Sequence, residues 1–106
     1  MFSYIVRCKI TDPDVAHSWL DWLTSKHIQD VLNAGATSAE IFEMESESDK
    51  SRTFEIRYRF GSAEAFAEYE RSHAPRLRTE GLGKFPLEMG LEYSRCTGKS
   101  LRKFNV

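Results

Sequence analysis

The stretch Arg52–Phe60, RTFEIRYRF, alternates without interruption: Phe54, Ile56, Tyr58 and Phe60 fall on one side, Thr53, Glu55, Arg57 and Arg59 on the other. A period of two belongs to an extended strand with one buried and one wet face. The chain start repeats it, with Phe2, Tyr4, Val6, Cys8 and Ile10 opposite Ser3, Ile5, Arg7 and Lys9. TSAEIFEME and GLEYSRCT also read as strands. The short, polar, acidic SESDKS that precedes the strand from Arg52 suits an exposed hairpin tip.

Two segments between the strands carry helical signals. Asp12 is a good N-cap, and Pro13 suits the first helical position, where a missing N–H costs nothing. Gly35 is able to end that helix in the left-handed conformation. The run GSAEAFAEYERSHAPRLRTEG opens on Ser62 as N-cap, and Gly81 and Gly83 are expected to close it. Pro75 should kink or restart this second helix near His73, because it removes a backbone donor and crowds the preceding turn.

The order β-α-β-β-α-β, with right-handed crossovers, implies an α+β ferredoxin-like sandwich: one antiparallel sheet with both helices on a single face. A chain of 106 residues supports one core. Residues 1–98 form the expected domain, and residues 99–106, with Lys99, Arg102 and Lys103, a short basic tail. First and last strands should be antiparallel neighbours. Cys8 and Cys96 come late in them and are expected toward opposite ends, as free thiols. The sheet face without helices carries Arg7, Lys9, Arg57, Arg59 and Glu55, a mixed-charge surface that can meet water or a second sheet.

Fifteen basic residues oppose sixteen acidic ones, a formal net charge of -1, so no global field gathers polyanions and no nucleic-acid partner is expected. Arg7 and Lys9 interrupt the start before a secretory signal core develops, and no apolar run nears the ~18 residues of a membrane span. A cytoplasmic protein without a membrane partner is the expectation. Two histidines on different helices, with no carboxylate or cysteine nearby, are a poor zinc signature, so no metal and no cofactor are expected. GLGKFP has Pro86 where a dinucleotide fingerprint needs its third glycine. Glu43, Glu45, Glu47 and Asp49 lack the spacing of a calcium loop.

One residue stands against its surroundings. On a wheel of ~100° per residue, Ala16, Leu20, Leu23, His27 and Val31 share a narrow sector, with Trp19 at its margin. Trp22, Ile28 and Leu32 point well away. The second helix repeats the pattern: Phe66, His73, Ala74 and Leu77 share a face, Tyr69 lies at its edge and Glu70 near its middle. Both helices thus aim a histidine at the sheet face of Tyr58, with Tyr4 and Tyr93 as further hydroxyls. A histidine in an apolar stripe is most often a neutral core residue satisfied by a carbonyl or a hydroxyl. The functional alternative is a polar-tipped cavity between helices and sheet.

W-x-x-W at Trp19 and Trp22, H-I-x-x-V from His27 to Val31, Gly35, the strand ending near Tyr58, Y-x-x-x-H-A-P-x-L-R from Tyr69 to Arg78, and Lys84-Phe85 together resemble an uncharacterised bacterial domain-of-unknown-function family of the dimeric α+β-barrel superfamily. The resemblance spans roughly residues 2 to 97, departing at Gln29, where proline is common, and Arg57, where glutamine is common. It implies a homodimer paired through the sheet and a pocket between helices and sheet.

The leading expectation is a small organic ligand held by Trp19, Leu23, His27, Tyr58, Phe66 and His73, with His27 as polar anchor and best catalytic candidate. Superfamily analogy makes cofactor-independent oxygenation or isomerisation the enzymatic form of this reading, with haem binding as a further form. The rival class is a non-catalytic structural or sensor dimer whose histidines belong to the core. Replacing His27 by phenylalanine separates the two: a core role loses stability, a site role loses ligand.

Overall fold

The computed structural model describes residues 1–45 and 50–106. Strand β1 runs over Phe2–Ile10, β2 over Ser38–Met44, β3 over Arg52–Phe60 and β4 over Leu91–Lys99. They form one antiparallel sheet in the order β2-β3-β1-β4. This is the ferredoxin-like α+β sandwich. Of the expected hairpin tip SESDKS, residues 46–51, residues 46–49 with Glu47 and Asp49 lie outside the described residues. Strand β4 runs through Lys99, and the Ser100 N–H donates to the Met1 carbonyl at 2.9 Å, so the sheet extends into the expected tail.

Alternation sets the two faces as expected. Tyr4, Cys8 and Ile10 of β1 and Phe54, Ile56, Tyr58 and Phe60 of β3 are buried under the helices. On the opposite face, Glu55 departs from the expected solvated row: only 4% exposed, it lies beneath Arg7 Nε at 2.8 Å and Arg57 Nε at 2.5 Å. Two guanidinium groups laid over one carboxylate exclude water without a layer of protein above them. The hydrogen bond from Arg7 is the main cause holding this carboxyl below its ordinary value.

The first helix has three parts: α1 over Pro13–Trp22, a π turn over Leu23–His27 and α2 over Ile28–Asn33. Asp12 caps it as expected, accepting from the N–H groups of Asp14 and Val15. In the π turn the Ile28 N–H reaches back five residues to the Leu23 carbonyl. Thr24 Oγ1 donates to the Leu20 carbonyl at 3.0 Å beside it. Gly35 follows with φ +130°, the left-handed stop its position suggested.

The ideal wheel is corrected here. Trp19 is 1% and Trp22 8% exposed, both buried, whereas Leu20 is half-buried. The helix packs on two surfaces, the sheet and the second helical segment, and one extra residue in the π turn shifts the stripe beyond it.

The second segment is α3 over Ala63–Ser72 and α4 over Ala74–Lys84. The break falls at His73, with Pro75 in the first turn of α4, as the missing proline N–H demands. Gly81 and Gly83 do not end it; the helix continues to Lys84, and the Phe85 N–H donates to the Gly81 carbonyl at 2.8 Å. Gly81 serves a different purpose. A Cβ there would lie 3.2 Å from the Trp22 indole, so the bare backbone makes room for that ring.

Candidate functional site

Between the helices and the core face of the sheet lies a chamber of about 50 Å³. That is several times the ~10–15 Å³ one water requires, and about a third of the ~150 Å³ void that admits benzene. The sheet floor supplies Tyr4, Val6, Ile56, Tyr58, Tyr93 and Arg95, and the first helix Trp19, Trp22, Leu23 and His27. Tyr69 of α3 and Leu77, Arg78, Gly81 and Leu82 of α4 complete the wall.

The polar groups fall into two sets. Some are satisfied: Trp19 Nε1 donates to the Tyr93 hydroxyl at 2.9 Å, and Arg78 Nη2 to the Tyr4 hydroxyl at 3.0 Å and to Glu70 at 2.5 Å. Trp22 Nε1, His27 Nδ1 and Arg78 Nε are buried and have no partner among the described residues. An unpartnered buried polar atom typically costs ~1–3 kcal/mol, so three around one void give it a strongly polar tip.

His27 is half-buried and its ring stacks on Trp22, with centroids 4.6 Å apart and planes at 26°. Burial pushes its pKa below the ordinary 6.5, against the opposing pull of Asp30 and Glu80, so the imidazole is neutral at pH 7. A neutral imidazole with a free nitrogen is able to accept a proton or a hydrogen bond. The phenols are no rivals as bases. Burial pushes Tyr69 up to about 12 and raises Tyr58 and Tyr93 as well.

Of the six residues expected to form the pocket, Trp19, Leu23, His27 and Tyr58 line the chamber. Phe66 and His73 do not. Phe66 packs on Phe2, Tyr4 and Phe60, with centroids 4.9–5.3 Å away. His73 sits at the break ahead of α4, where the backbone leaves helical geometry (φ -128°), and Arg76 Nη2 donates to its Nδ1 at 3.1 Å. The break that Pro75 forces turns this residue off the continuous wheel. Trp22, Arg78 and Arg95 also line the chamber, beyond the six expected. Arg95 had a signal: in Leu91–Lys99 it shares the alternation of Leu91 and Tyr93, an arginine on a core-facing register opposite Val6.

Cys8 and Cys96 are both free. They stand three register positions apart, not at opposite strand ends, since Cys8 pairs with Tyr93 and Cys96 with Ile5. They are also on opposite faces. Among the described residues no three His, Cys, Asp or Glu side chains gather as a cation site, and no helix is long and apolar enough to cross a membrane.

Fold and chamber together define a ferredoxin-like α+β protein with a small polar-tipped cavity beneath its helices. The chain belongs to the family described as "Domain of unknown function (DUF4286)", whose model matches residues 1–93. No curated protein matches it. Among solved structures it is similar to a dimeric ferredoxin-like protein from an uncultured marine organism, at 12% identity over 100% of both chains and a TM-score of 0.73. A second dimeric ferredoxin-like protein from an uncultured marine organism matches at 8% identity over 97% of each chain, with a TM-score of 0.70. A putative antibiotic biosynthesis monooxygenase from Bacillus cereus matches at 11% identity, covering 100% of this chain and 97% of that one, with a TM-score of 0.68. At these identities the likeness is one of fold.

Proposed function

We propose that this protein is a homodimer that binds a small organic ligand in the chamber beneath its helices, with His27 as the polar anchor. The observation that carries the reading is His27 itself: neutral, stacked on Trp22 and bordering a void with a buried nitrogen left open. A core histidine would have spent that nitrogen on a carbonyl or a hydroxyl. The void is far smaller than a porphyrin, which disfavours haem. If the protein is catalytic, His27 is the group in the right state to remove a proton, as cofactor-independent isomerisation or oxygenation requires.

The small volume favours a second reading, a non-catalytic structural dimer whose chamber holds only water. A thermal-shift screen of small organic acids, amides and phenols separates them. The ligand reading expects at least one compound to raise the Tm of the wild type and not of His27→Phe. No shift with any compound supports the structural reading.

For the dimer, support comes from the uncovered sheet face. There Ser3, Ile5, Arg7, Glu40, Arg59 and Cys96 line an open concavity of about 800 Å³, and Arg57 stacks over Phe42 at 4.3 Å. Both charge signs and apolar side chains are present, as a two-fold contact between sheets needs. The dimeric neighbours point the same way. Sedimentation equilibrium should give twice the chain mass for the wild type and a shift toward monomer for Arg59→Glu; a monomeric wild type excludes this arrangement. We take residues 1–98 as the dimerising domain and residues 99–106 as its tail, and a cytoplasmic setting fits the two unpaired thiols.

A further inference from the structure

Of the three buried polar atoms at the chamber without a partner among the described residues, two can only donate, and the third, His27 Nδ1, donates or accepts according to its tautomer. Trp22 Nε1 and Arg78 Nε are N–H groups with no partner, and each is able only to donate. Tyr4 and Tyr93 already accept, from Arg78 and Trp19. Among the described residues no Asp or Glu lines the chamber; Glu70, the carboxylate beside Arg78, borders a neighbouring groove that Arg95 also lines.

Charge follows the same imbalance. Arg78 is offset by Glu70 at 2.5 Å. Arg95 is not: among the described residues it forms no ion pair, and its guanidinium carbon sits 5.1 Å from the centre of the Tyr93 ring. It stands on the outer strand β4, exposed at the rim, yet on the core-facing register that lines the chamber. A guanidinium fork without an ion pair, lining the same chamber as two unpartnered N–H groups, is complementary to a planar anion with two oxygens. A chamber of about 50 Å³ admits only a short body behind such a head.

We propose that the chamber binds a short-chain carboxylate. Its anionic head takes the hydrogen bonds that Arg95, Arg78 Nε and Trp22 Nε1 leave open, together with one from His27 in the tautomer that carries its proton on Nδ1, and its apolar body lies against Leu23, Ile56 and Leu77. This rests on the ligand-binding reading above and adds the chemical class of the ligand.

Trp19 and Trp22 both line the chamber and are the only tryptophans of the chain, so intrinsic fluorescence reports its occupancy. The protein is titrated with acetate, propionate and butyrate, and in parallel with acetamide, propionamide and butyramide, sodium chloride holding ionic strength constant. A saturable change is expected with at least one carboxylate, its amide binding about tenfold more weakly or worse. Arg95→Gln, on an exposed position that leaves the core intact, should weaken the carboxylate by about tenfold, with Arg95→Lys recovering part. Amides binding as tightly as carboxylates, or Arg95→Gln binding unchanged, would overturn the carboxylate and leave the ligand site standing. No saturable signal from either set would overturn both.

Discussion

The imidazole of His27 lies on the indole of Trp22, five residues earlier, with centroids 4.6 Å apart. In an uninterrupted α-helix, five steps of ~100° leave two side chains ~140° apart, unable to stack. The π turn over Leu23–His27 removes that offset by fitting one more residue into the turn. Trp22 also rests against Gly81 and Phe85, the latter at 5.7 Å between centroids. The local irregularity and the chamber therefore have a common origin.

His27→Phe keeps an aromatic ring on Trp22 and removes an unpartnered nitrogen. Its stability should equal or exceed the wild type, while any ligand-induced thermal shift disappears. His27→Ala removes the ring itself and should cost about 1–2 kcal/mol. Urea denaturation of the two variants checks both; a His27→Phe loss as large as that of His27→Ala would assign the residue to the core.

Acidification should weaken the fold in a defined window. The folded imidazole titrates below 6.5, the value of the unfolded chain, so unfolding takes up a proton as pH falls through that value. Stability contributed by the neutral ring is complete above about pH 7 and is lost on descent until the folded ring also protonates. Glu55, held below 4.5 by Arg7, adds its own loss only from about that value downward. Chemical denaturation between pH 7.5 and 5 should therefore show a decline that His27→Phe flattens, and an equal decline in the variant would remove His27 as its source.

The two thiols should react unequally. Cys96 is exposed, whereas Cys8 is fully buried and burial pushes its thiol up to about 12. A thiol reagent at pH 8 should spare Cys8 until the protein is denatured, and should label Cys96 faster in the Arg59→Glu variant than in the wild-type dimer, whose sheet contact covers it. Zero reactive thiols in denaturant would show a disulfide that the register forbids.

Gly90 precedes β4 with φ +97°, and a Cβ there would lie 2.4 Å from Thr11 Oγ1. Gly90→Ala meets the left-handed penalty of ~1–2 kcal/mol and the steric clash together. The Tm should fall clearly, and restoring space with Thr11→Ala should recover only the part due to the clash. Full recovery in the double variant would show that backbone strain contributes nothing.

Much of this architecture was legible because its signals are local. Period-two alternation depends on the pleat of a single strand, so Phe54, Ile56, Tyr58 and Phe60 announced both the strand and its buried face. The caps at Asp12 and Ser62 and the stop at Gly35 act within a few residues of themselves. Even the break at His73 follows from one proline nearby.

The chamber depended on contacts the chain makes across long separations. Nothing near Trp22 or Leu23 in sequence demands a π turn; the indole finds its place only against Gly81, far along the chain on another helix. The same packing buries Trp22, which a regular wheel turned outward. Arg95 shows the division most clearly. Alternation put it on the core-facing side, but only the sheet order, with β4 as an outer strand beside β1, leaves that guanidinium at the rim of a cavity and without a counter-ion. Sequence determined the elements and their faces, because those follow from backbone geometry residue by residue. Tertiary structure decided the site, because a void and its unpartnered atoms exist only where separate elements fail to fill the space between them.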